Sequence, residues 1–468
     1  MLTKTDYILW RECPKNTWIK IHKPKIFFAA ELSDFEKQII ETGNEVDKLA
    51  REIFPKGKFQ RKFEANDFLA ITDIFIEDED GCHVYEVKAT NEIDERTHYH
   101  DLAFQVNILK MSELKIKSAN LVHLNKNYER RGDLDLKELF AVENVTEKIE
   151  DMLEEVFEEM NMAQNYLAQD KEPKGPCSCI YKGRSNHCAT FAYSNPHVPE
   201  YSIHDLARIG LSKRKLVEMI DSGILHPHEV PEEIELSEIQ KNQIWTLIHD
   251  RTILSKEEIA NELEKLEFPL YFLDYETFPA AVPRFSDYSP YQQIPFQYSL
   301  HILRSPDAKP GHYDFLYTKS GDPSEEFAKS LMSHIGEKGS VIVWHKSFEC
   351  SRNTEIGERV PESKKFFESV NDRTYDLEDI FKKQYYVHKD FRGSSSIKKI
   401  LPVMAPALTY SELEIKEGGT AAESWNQIVT KGRTLDSEKI ARNLREYCKL
   451  DTYAMYAVWR ELHKLIQI

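Results

Sequence analysis

No stretch of the chain approaches the roughly 18 consecutive apolar residues that a membrane-spanning helix needs. The N-terminus, Met1 to Trp10, lacks the long apolar core and small-residue cleavage site of a secretory signal. A cytoplasmic location, with no membrane partner, is the expectation. An excess of positive charge is missing too: 62 Lys+Arg stand against 79 Asp+Glu, a formal net charge of −17. That excludes a uniformly basic coat for polyanions. Any nucleic-acid role must come from local basic patches, or from metals that bridge acidic residues to phosphate. Cysteine is scarce, seven in 468 residues, and the odd number argues against a disulfide framework. Internal repeats and low-complexity tracts are absent. What is present, 41% hydrophobic and 30% charged residues, is enough to build real cores. At roughly 100–200 residues per domain the length predicts two to four of them.

Three regions separate by texture. Residues 1–192 hold strand-like apolar runs, a long acidic helix and a cysteine cluster in a loop rich in Pro and Gly. The helix is expected over Val145–Leu167, where Val145, Ile149, Leu153, Val156 and Met160 recur at helical spacing. Its glutamates read most simply as a solvated face. Residues 193–266 read as a helical linker module, punctuated by Gly210, Gly223, Pro227 and Pro231. Residues 267–468 open on a buried-strand run, Phe268 to Asp274. The fold class expected is α/β.

Residues 68–90 have the pattern of a hairpin, two apolar strands around an acidic loop with Asp80-Gly81. Glu86 and Lys88 are two apart on a strand and share a face, and Asp73 lies on the partner strand. Two carboxylates can hold a divalent ion that polarises a phosphodiester, and a lysine beside them can offset charge developing on phosphate. This D…E-x-K arrangement resembles the PD-(D/E)XK nuclease core. The segment Glu41 to Pro55 resembles the first helix of RecB-type members of that group, and Asp101 to Leu109 their glutamine-bearing helix. The resemblance implies catalytic roles for Asp73, Glu86 and Lys88, with Asp73 and Glu86 as metal ligands. Gln105 would position substrate or water, and Glu45 would be an accessory acid.

Cys177-x-Cys179-x8-Cys188 has metal-type spacing, and Cys13 lies far upstream before Pro14. The pairing of an early cysteine with a late triplet resembles the iron–sulfur branch of RecB-type nucleases. It implies that Cys13, Cys177, Cys179 and Cys188 bind a [4Fe–4S] cluster. Zinc is the competing ion, with His187 as a possible substitute ligand. Cys82, Cys350 and Cys448 read as ordinary buried thiols.

Asp274 and Glu276, in Leu-Asp-Tyr-Glu-Thr-Phe, share one strand face. Tyr447 and Asp451 are four apart and share a helix face. Between them a strand, Val341 onward, leads into a turn with Phe348-Glu349. The order D-x-E, Phe-acid, Y-x3-D resembles the DEDDy group of DnaQ-type exonucleases, which have an RNase H-like fold. It implies that Asp274, Glu276, Glu349 and Asp451 hold Mg2+ or Mn2+ and that Tyr447 orients the attacking water. One departure stands out: that group usually has Asp where Glu349 stands and Asn where His345 stands. Asp376 is a second claimant for the third position. The aromatic stretch Pro283–Gln297 reads either as a stacking platform for a splayed nucleotide or as core. Arg392 to Leu401 reads as a loop entering a helix, whose serine caps, free N–H groups and lysines could seat phosphate, or as a plain solvated helix start.

The whole order of motifs resembles an uncharacterised prokaryotic family with a domain of unknown function. The implied activity is a metal-dependent nuclease with a 3′→5′ exonuclease domain, acting on DNA in repair, processing or defence. RNA is the alternative substrate, since the four-acid chemistry does not distinguish sugars. A nucleic-acid-binding scaffold with an inactive site is the alternative of another class.

Overall fold

The computed structural model describes residues 1–28, 34–431 and 435–467. The chain forms two compact units. The first contains Met1–His204, Gly210–Leu225 and Ala280–Gln292; the second contains Asp205–Ile209, His226–Pro279 and Gln293–Ile468. Both are mixed α/β. The 193–266 stretch is thus shared between the units, and besides helices such as Lys213–Asp221 and Glu238–His249 it contains a short strand.

The principal elements of the first unit are β1 (Leu2–Thr3), α1 (Lys4–Glu12), α2 (Pro14–His22), α3 (Asp34–Glu52), β2 (Lys58–Ala65), β3 (Phe68–Glu77), β4 (Cys82–Lys88), α4 (Glu95–Met111), β5 (Ile116–Leu124), β6 (Phe140–Asn144) and α5 (Thr146–Leu167). Its six-stranded sheet runs β1-β3-β4-β5-β6, with β2 also paired to β3. β4 pairs antiparallel with β3 and parallel with β5. The β3–β4 turn is set by Asp78, whose Oδ1 accepts the N–H groups of Asp80 and Gly81 at 2.9 and 3.2 Å. Gly81 has φ +144°, and a Cβ there would sit 2.7 Å from the Lys115 carbonyl oxygen, so glycine is required.

Asp94 caps α4 by accepting the Arg96 N–H, and every residue from Tyr99 to Leu109 is buried. A helix buried all round must find partners for its polar side chains. Here these include His100, Asp101 and Gln105. α5 buries Ile149, Val156, Met160, Ala163 and Leu167 and turns most of its glutamates outward, as its periodicity predicts.

The second unit contains β7 (Ile253–Leu254), β8 (Leu270–Pro279), β9 (Gln293–Leu303), β10 (Gly311–Leu316), β11 (Val341–Val343), α6 (Lys346–Arg359), β12 (Thr374–Asp376), β13 (Tyr386–Val387), α7 (Ile397–Met404) and α8 (Leu435–Ile466). The sheet order is β10-β9-β8-β11-β12: the first three strands are antiparallel neighbours, and β11 and β12 add in parallel. β8 is central and buried on both faces, as its apolar run implies. On β8, β11 pairs with Tyr271 and Phe272, so β8 runs beyond this pairing before it reaches Asp274. The β8–β9 register shifts between Glu276 and Thr277. Such irregularities re-aim side chains, and these two features position the acids described next.

Candidate functional site

In the second unit Asp274 and Glu276 come from β8, Glu349 from the first turn of α6, and Tyr447 and Asp451 from one face of α8. All five line one pocket of about 220 Å³, together with Trp344, His345, Lys398 and others. Glu276, Glu349 and Asp451 are buried. Glu349 Oε2 has no hydrogen-bond partner among the described residues. The electrostatics follow from this crowding. Burial, then the Asp451 charge, drives the Asp274 carboxyl well above its ordinary range. Burial and the charges of Asp274, Asp451 and Glu349 do the same to Glu276, as burial and Asp274 do to Glu349. Asp451 is pushed up to about 6 by burial, and less far because hydroxyl donors and Lys398 favour its charged form. Four acids held at this density are short of cations. Ligand atoms of Asp274, Glu276 and Cys448 lie within 4.8 Å of one another. Such a set can take up divalent ions and, through them, activate water.

Three further residues stand around this pocket; Tyr410 and the role of Cys448 were not foreseen, whereas Lys398 belongs to the segment expected to seat phosphate. The Tyr410 hydroxyl donates to Asp451 Oδ1 at 2.6 Å. Lys398, near the start of α7, lies over the Tyr447 and Tyr410 rings, 5.5 and 5.7 Å from their centroids. Cys448 is fully buried with Sγ 3.8 Å from Asp274 Oδ2, so it belongs to the site rather than to an anonymous core. Asp376 is turned to another task. Its carboxylate accepts the N–H groups of His345 and Lys346, both at 3.1 Å, and so fastens the start of α6. That is where His345 adopts a left-handed φ of 88°. Glu349, not Asp376, therefore reaches the pocket.

In the first unit Glu86 lies 1% exposed on β4. Its Oε1 takes Lys4 Nζ at 2.5 Å and Lys88 Nζ at 2.8 Å, and its Oε2 accepts from Gln105 Nε2 at 2.6 Å. Asp101, one turn before Gln105 on α4, pairs with Lys88 and lies 3.6 Å from Lys4 Nζ. Burial alone would raise the Glu86 carboxyl, but the two ammonium groups outweigh it and hold it well below the ordinary range. Asp73 accepts the Val87 N–H at 2.9 Å. Burial and the Glu86 charge push it up to about 7. The structure thus brings Asp73, Glu86, Lys88 and Gln105 together and adds Lys4 and Asp101. Glu45 is exposed; the acid of α3 whose charge acts on Asp73 is Asp47. Asp101 had a legible signal, its four-residue spacing from Gln105. Lys4 had none.

The four predicted cysteines converge. Cys13 sits in extended conformation between α1 and α2, where Pro14 opens the second helix. Cys177 and Cys179 flank the start of the tight turn Ser178–Tyr181. Cys13, Cys177 and Cys179 are buried, all four thiols are unpaired by disulfides, and all four Sγ atoms lie within 4.8 Å of one another. Cys188 Sγ is 3.8 Å from both Cys13 Sγ and Cys177 Sγ. Thiolates about 2.3 Å from one tetrahedral ion stand about 3.8 Å apart by geometry. His187 is outside this set: it stacks on Phe191 at 3.4 Å, and its Nε2 lies 3.0 Å from the Lys182 carbonyl oxygen. Together the four cysteines could hold a metal.

The aromatic stretch after β8 is packed. Tyr288 is 1% exposed, the Tyr291 hydroxyl donates to the Ala89 carbonyl, and Arg130 Nη1 donates to the carbonyls of Pro283 and Arg284 at 3.0 and 2.8 Å.

The chain resembles proteins without a described activity. A domain of unknown function, DUF2779, matches residues 271–396, which include Asp274, Glu276 and Glu349. An uncharacterized protein of Ureaplasma parvum is 27% identical over 302 residues, covering 59% of this chain and 41% of that protein. An uncharacterized protein of Mycoplasma genitalium is 25% identical over 226 residues, 44% of this chain and 34% of its own length. The chain therefore spans less than half the length of either relative. Among the described residues no helix is long and apolar enough to cross a membrane.

Proposed function

We propose that this protein is a metal-dependent nuclease that hydrolyses phosphodiester bonds in DNA, and that its second unit is an RNase H-like 3′→5′ exonuclease of the DEDDy kind. The observation that carries this reading is the convergence of Asp274, Glu276, Glu349 and Asp451, from three separate elements, on one pocket that also holds Tyr447. Buried like charges are costly to assemble. Their presence here is explained if divalent cations offset them in the working protein.

Asp274, Glu276, Glu349 and Asp451 would hold Mg2+ or Mn2+. A bound ion supplies Lewis-acid polarisation of the phosphoryl oxygen and lowers the pKa of an attacking water. The chain's own residues do the rest. Tyr447 offers its hydroxyl to orient that water. Tyr410 fixes the rotamer of Asp451 through its hydrogen bond. Lys398 supplies a cation at the pocket, beside the four acids, to meet a scissile phosphate.

The first unit is read as a PD-(D/E)XK nuclease domain of RecB type. Asp73 and Glu86 would be its metal ligands, Lys88 the charge-offsetting lysine and Gln105 the residue that orients Glu86. The resemblance of the cysteine set implies a [4Fe–4S] cluster. The sulfur spacing supports a different occupant. A cubane spreads its thiolates over separate irons, whereas all four sulfurs here lie within 4.8 Å of one another and Cys188 stands 3.8 Å from Cys13 and Cys177, the separation of thiolates around one ion. We infer a single tetrahedral ion, zinc, tying the N-terminal helices to residues 177–188.

The test is degradation of end-labelled single-stranded DNA, double-stranded DNA and RNA with Mg2+ or Mn2+, by the wild type, Asp274→Ala, Glu86→Ala and the Asp274→Ala/Glu86→Ala double variant. Loss of 3′-end trimming in Asp274→Ala is expected. Undiminished cleavage by the double variant would remove both assignments, and a preference for RNA would move the substrate to the alternative class.

A further inference from the structure

The acidic face of α5 is not simply solvated. Glu155 and Glu159 are four residues apart and share a face of that helix, and α4 brings His100 against them. One ligand atom from each of His100, Glu155 and Glu159 lies within 4.8 Å of the others. His100 is only 8% exposed; the Arg96 backbone, one turn earlier on α4, engages its ring, and a ring nitrogen lies within reach of both carboxylates. Glu159 is already oriented: Tyr7 donates its hydroxyl and Arg11 its Nε–H to the same oxygen, Oε2, at 2.5 and 2.8 Å. Outer hydrogen bonds of this kind fix the ligating carboxylates of metal sites.

We propose that His100, Glu155 and Glu159 form a binding site for one divalent transition-metal ion, separate from the four-cysteine set and from both carboxylate pockets. The donor set decides the class of ion. One imidazole nitrogen with two carboxylate oxygens suits zinc, with manganese and cobalt as weaker fits. It does not suit Mg2+ or Ca2+, which prefer oxygen ligands throughout. Ligands about 2.0–2.2 Å from one ion stand about 3.5 Å apart, so the set must draw in slightly. Glu155 is exposed and can make that adjustment by a rotamer change. The exposure also leaves the remaining coordination positions to water. Because α4 carries Asp101 and Gln105 as well, an ion here would pin that helix to α5.

The experiment is equilibrium dialysis of the full chain against micromolar free zinc in excess Mg2+. Bound zinc is counted above the amount the protein carries as purified. The probe is zinc alone; the proteins are wild type, His100→Ala and Glu155→Gln. The wild type is expected to take up one more zinc per chain than either variant, or to bind that zinc at least about tenfold more tightly. Circular dichroism without added zinc should be the same for all three. If His100→Ala does not fold, Glu155→Gln decides, because that side chain is exposed. Equal zinc uptake by wild type and a folded variant overturns the proposal.

Discussion

The Tyr410 hydroxyl and Asp451 are joined by a 2.6 Å hydrogen bond that links the loop after α7 to the acid-bearing face of α8. Burial and the Asp451 charge drive the Tyr410 hydroxyl far above its ordinary range, so it remains a donor at any working pH. Tyr410→Phe is therefore expected to leave the fold in place, with a stability loss of about 1 kcal/mol. It should lower kcat for 3′-end release by roughly tenfold or more, the usual scale for partners that orient a metal ligand, with KM little changed. Tyr447→Phe should cost more, since Tyr447 lines the pocket and its hydroxyl also supports Asp451. A Tyr410→Phe enzyme with wild-type kcat would show that Asp451 needs no such support.

The four-acid pocket also makes a pH prediction for the ion-free protein. Asp451 is raised from an ordinary 3.8 to about 6, and Asp274, Glu276 and Glu349 are raised as well. Their folded forms bind protons more tightly than the unfolded chain does. Their contribution to stability is thus present below about pH 4 and is lost as pH rises through the folded values. With EDTA present, Asp451→Asn should gain stability over the wild type as pH rises from about 4 to 7, by about 3 kcal/mol at most. It should also lose the nuclease activity. Added Mg2+ should reverse the order of melting temperatures by stabilising only the wild type. A difference between the two proteins that is flat with pH would mean that the carboxylates do not repel as described.

The parts of these sites that were legible in the sequence are those set by local spacing. Asp274 and Glu276 are two apart on a strand, Tyr447 and Asp451 four apart on a helix, and Glu86 and Lys88 two apart on β4. Each spacing fixes a shared face whatever the tertiary fold. Lys4, Asp47 and Tyr410 were not legible, because each reaches its acid from an element distant in sequence. Nothing in the period of α1, α3 or the loop after α7 marks them. The rings of 283–297 show the converse limit. Composition offered a stacking platform or a core, and only packing, with Tyr288 buried, decides between them. Glu155 and Glu159 read as solvent-facing because periodicity reports which face a residue takes, not what a neighbouring helix brings against it.

Lys4 gives a third prediction. It and Lys88 share one oxygen of a carboxylate that is almost wholly buried, and burial alone would favour the neutral acid. Removing one partner of a buried ion pair leaves charge uncompensated. Because Lys88 remains, Lys4→Met should cost on the order of 1–3 kcal/mol at neutral pH. The Glu86 carboxyl is held low by these lysines, so its stabilising contribution is present above its ordinary pKa and lost as pH falls. The penalty of Lys4→Met should accordingly shrink in acid. In the Lys4→Met/Glu86→Gln pair the two losses should not add. Additive losses in urea melts would show that the 2.5 Å contact carries no coupling.

The cysteine site yields the sharpest chemical test, because its two occupants differ in stoichiometry and in colour. A cubane carries four irons and absorbs broadly in the visible, whereas one tetrahedral zinc is colourless. The 3.8 Å separations of Cys188 from Cys13 and Cys177 match one ion. Protein purified without oxygen should therefore be colourless. Above the zinc of any other site it should contain one zinc per chain that Cys177→Ser lacks, with little iron. Structural zinc contributes directly to folding, and Cys13 joins two N-terminal helices to a segment more than 160 residues away. Both Cys13→Ser and Cys177→Ser should lower the melting temperature, and chelation should lower it in the wild type but not in the variants. Preparing the protein anaerobically guards against the one artefact that would mimic zinc, loss of an oxygen-sensitive cluster followed by zinc capture. Brown protein with about four irons per chain, lost in Cys177→Ser, would establish the cluster instead and would show that these sulfurs move apart to receive it.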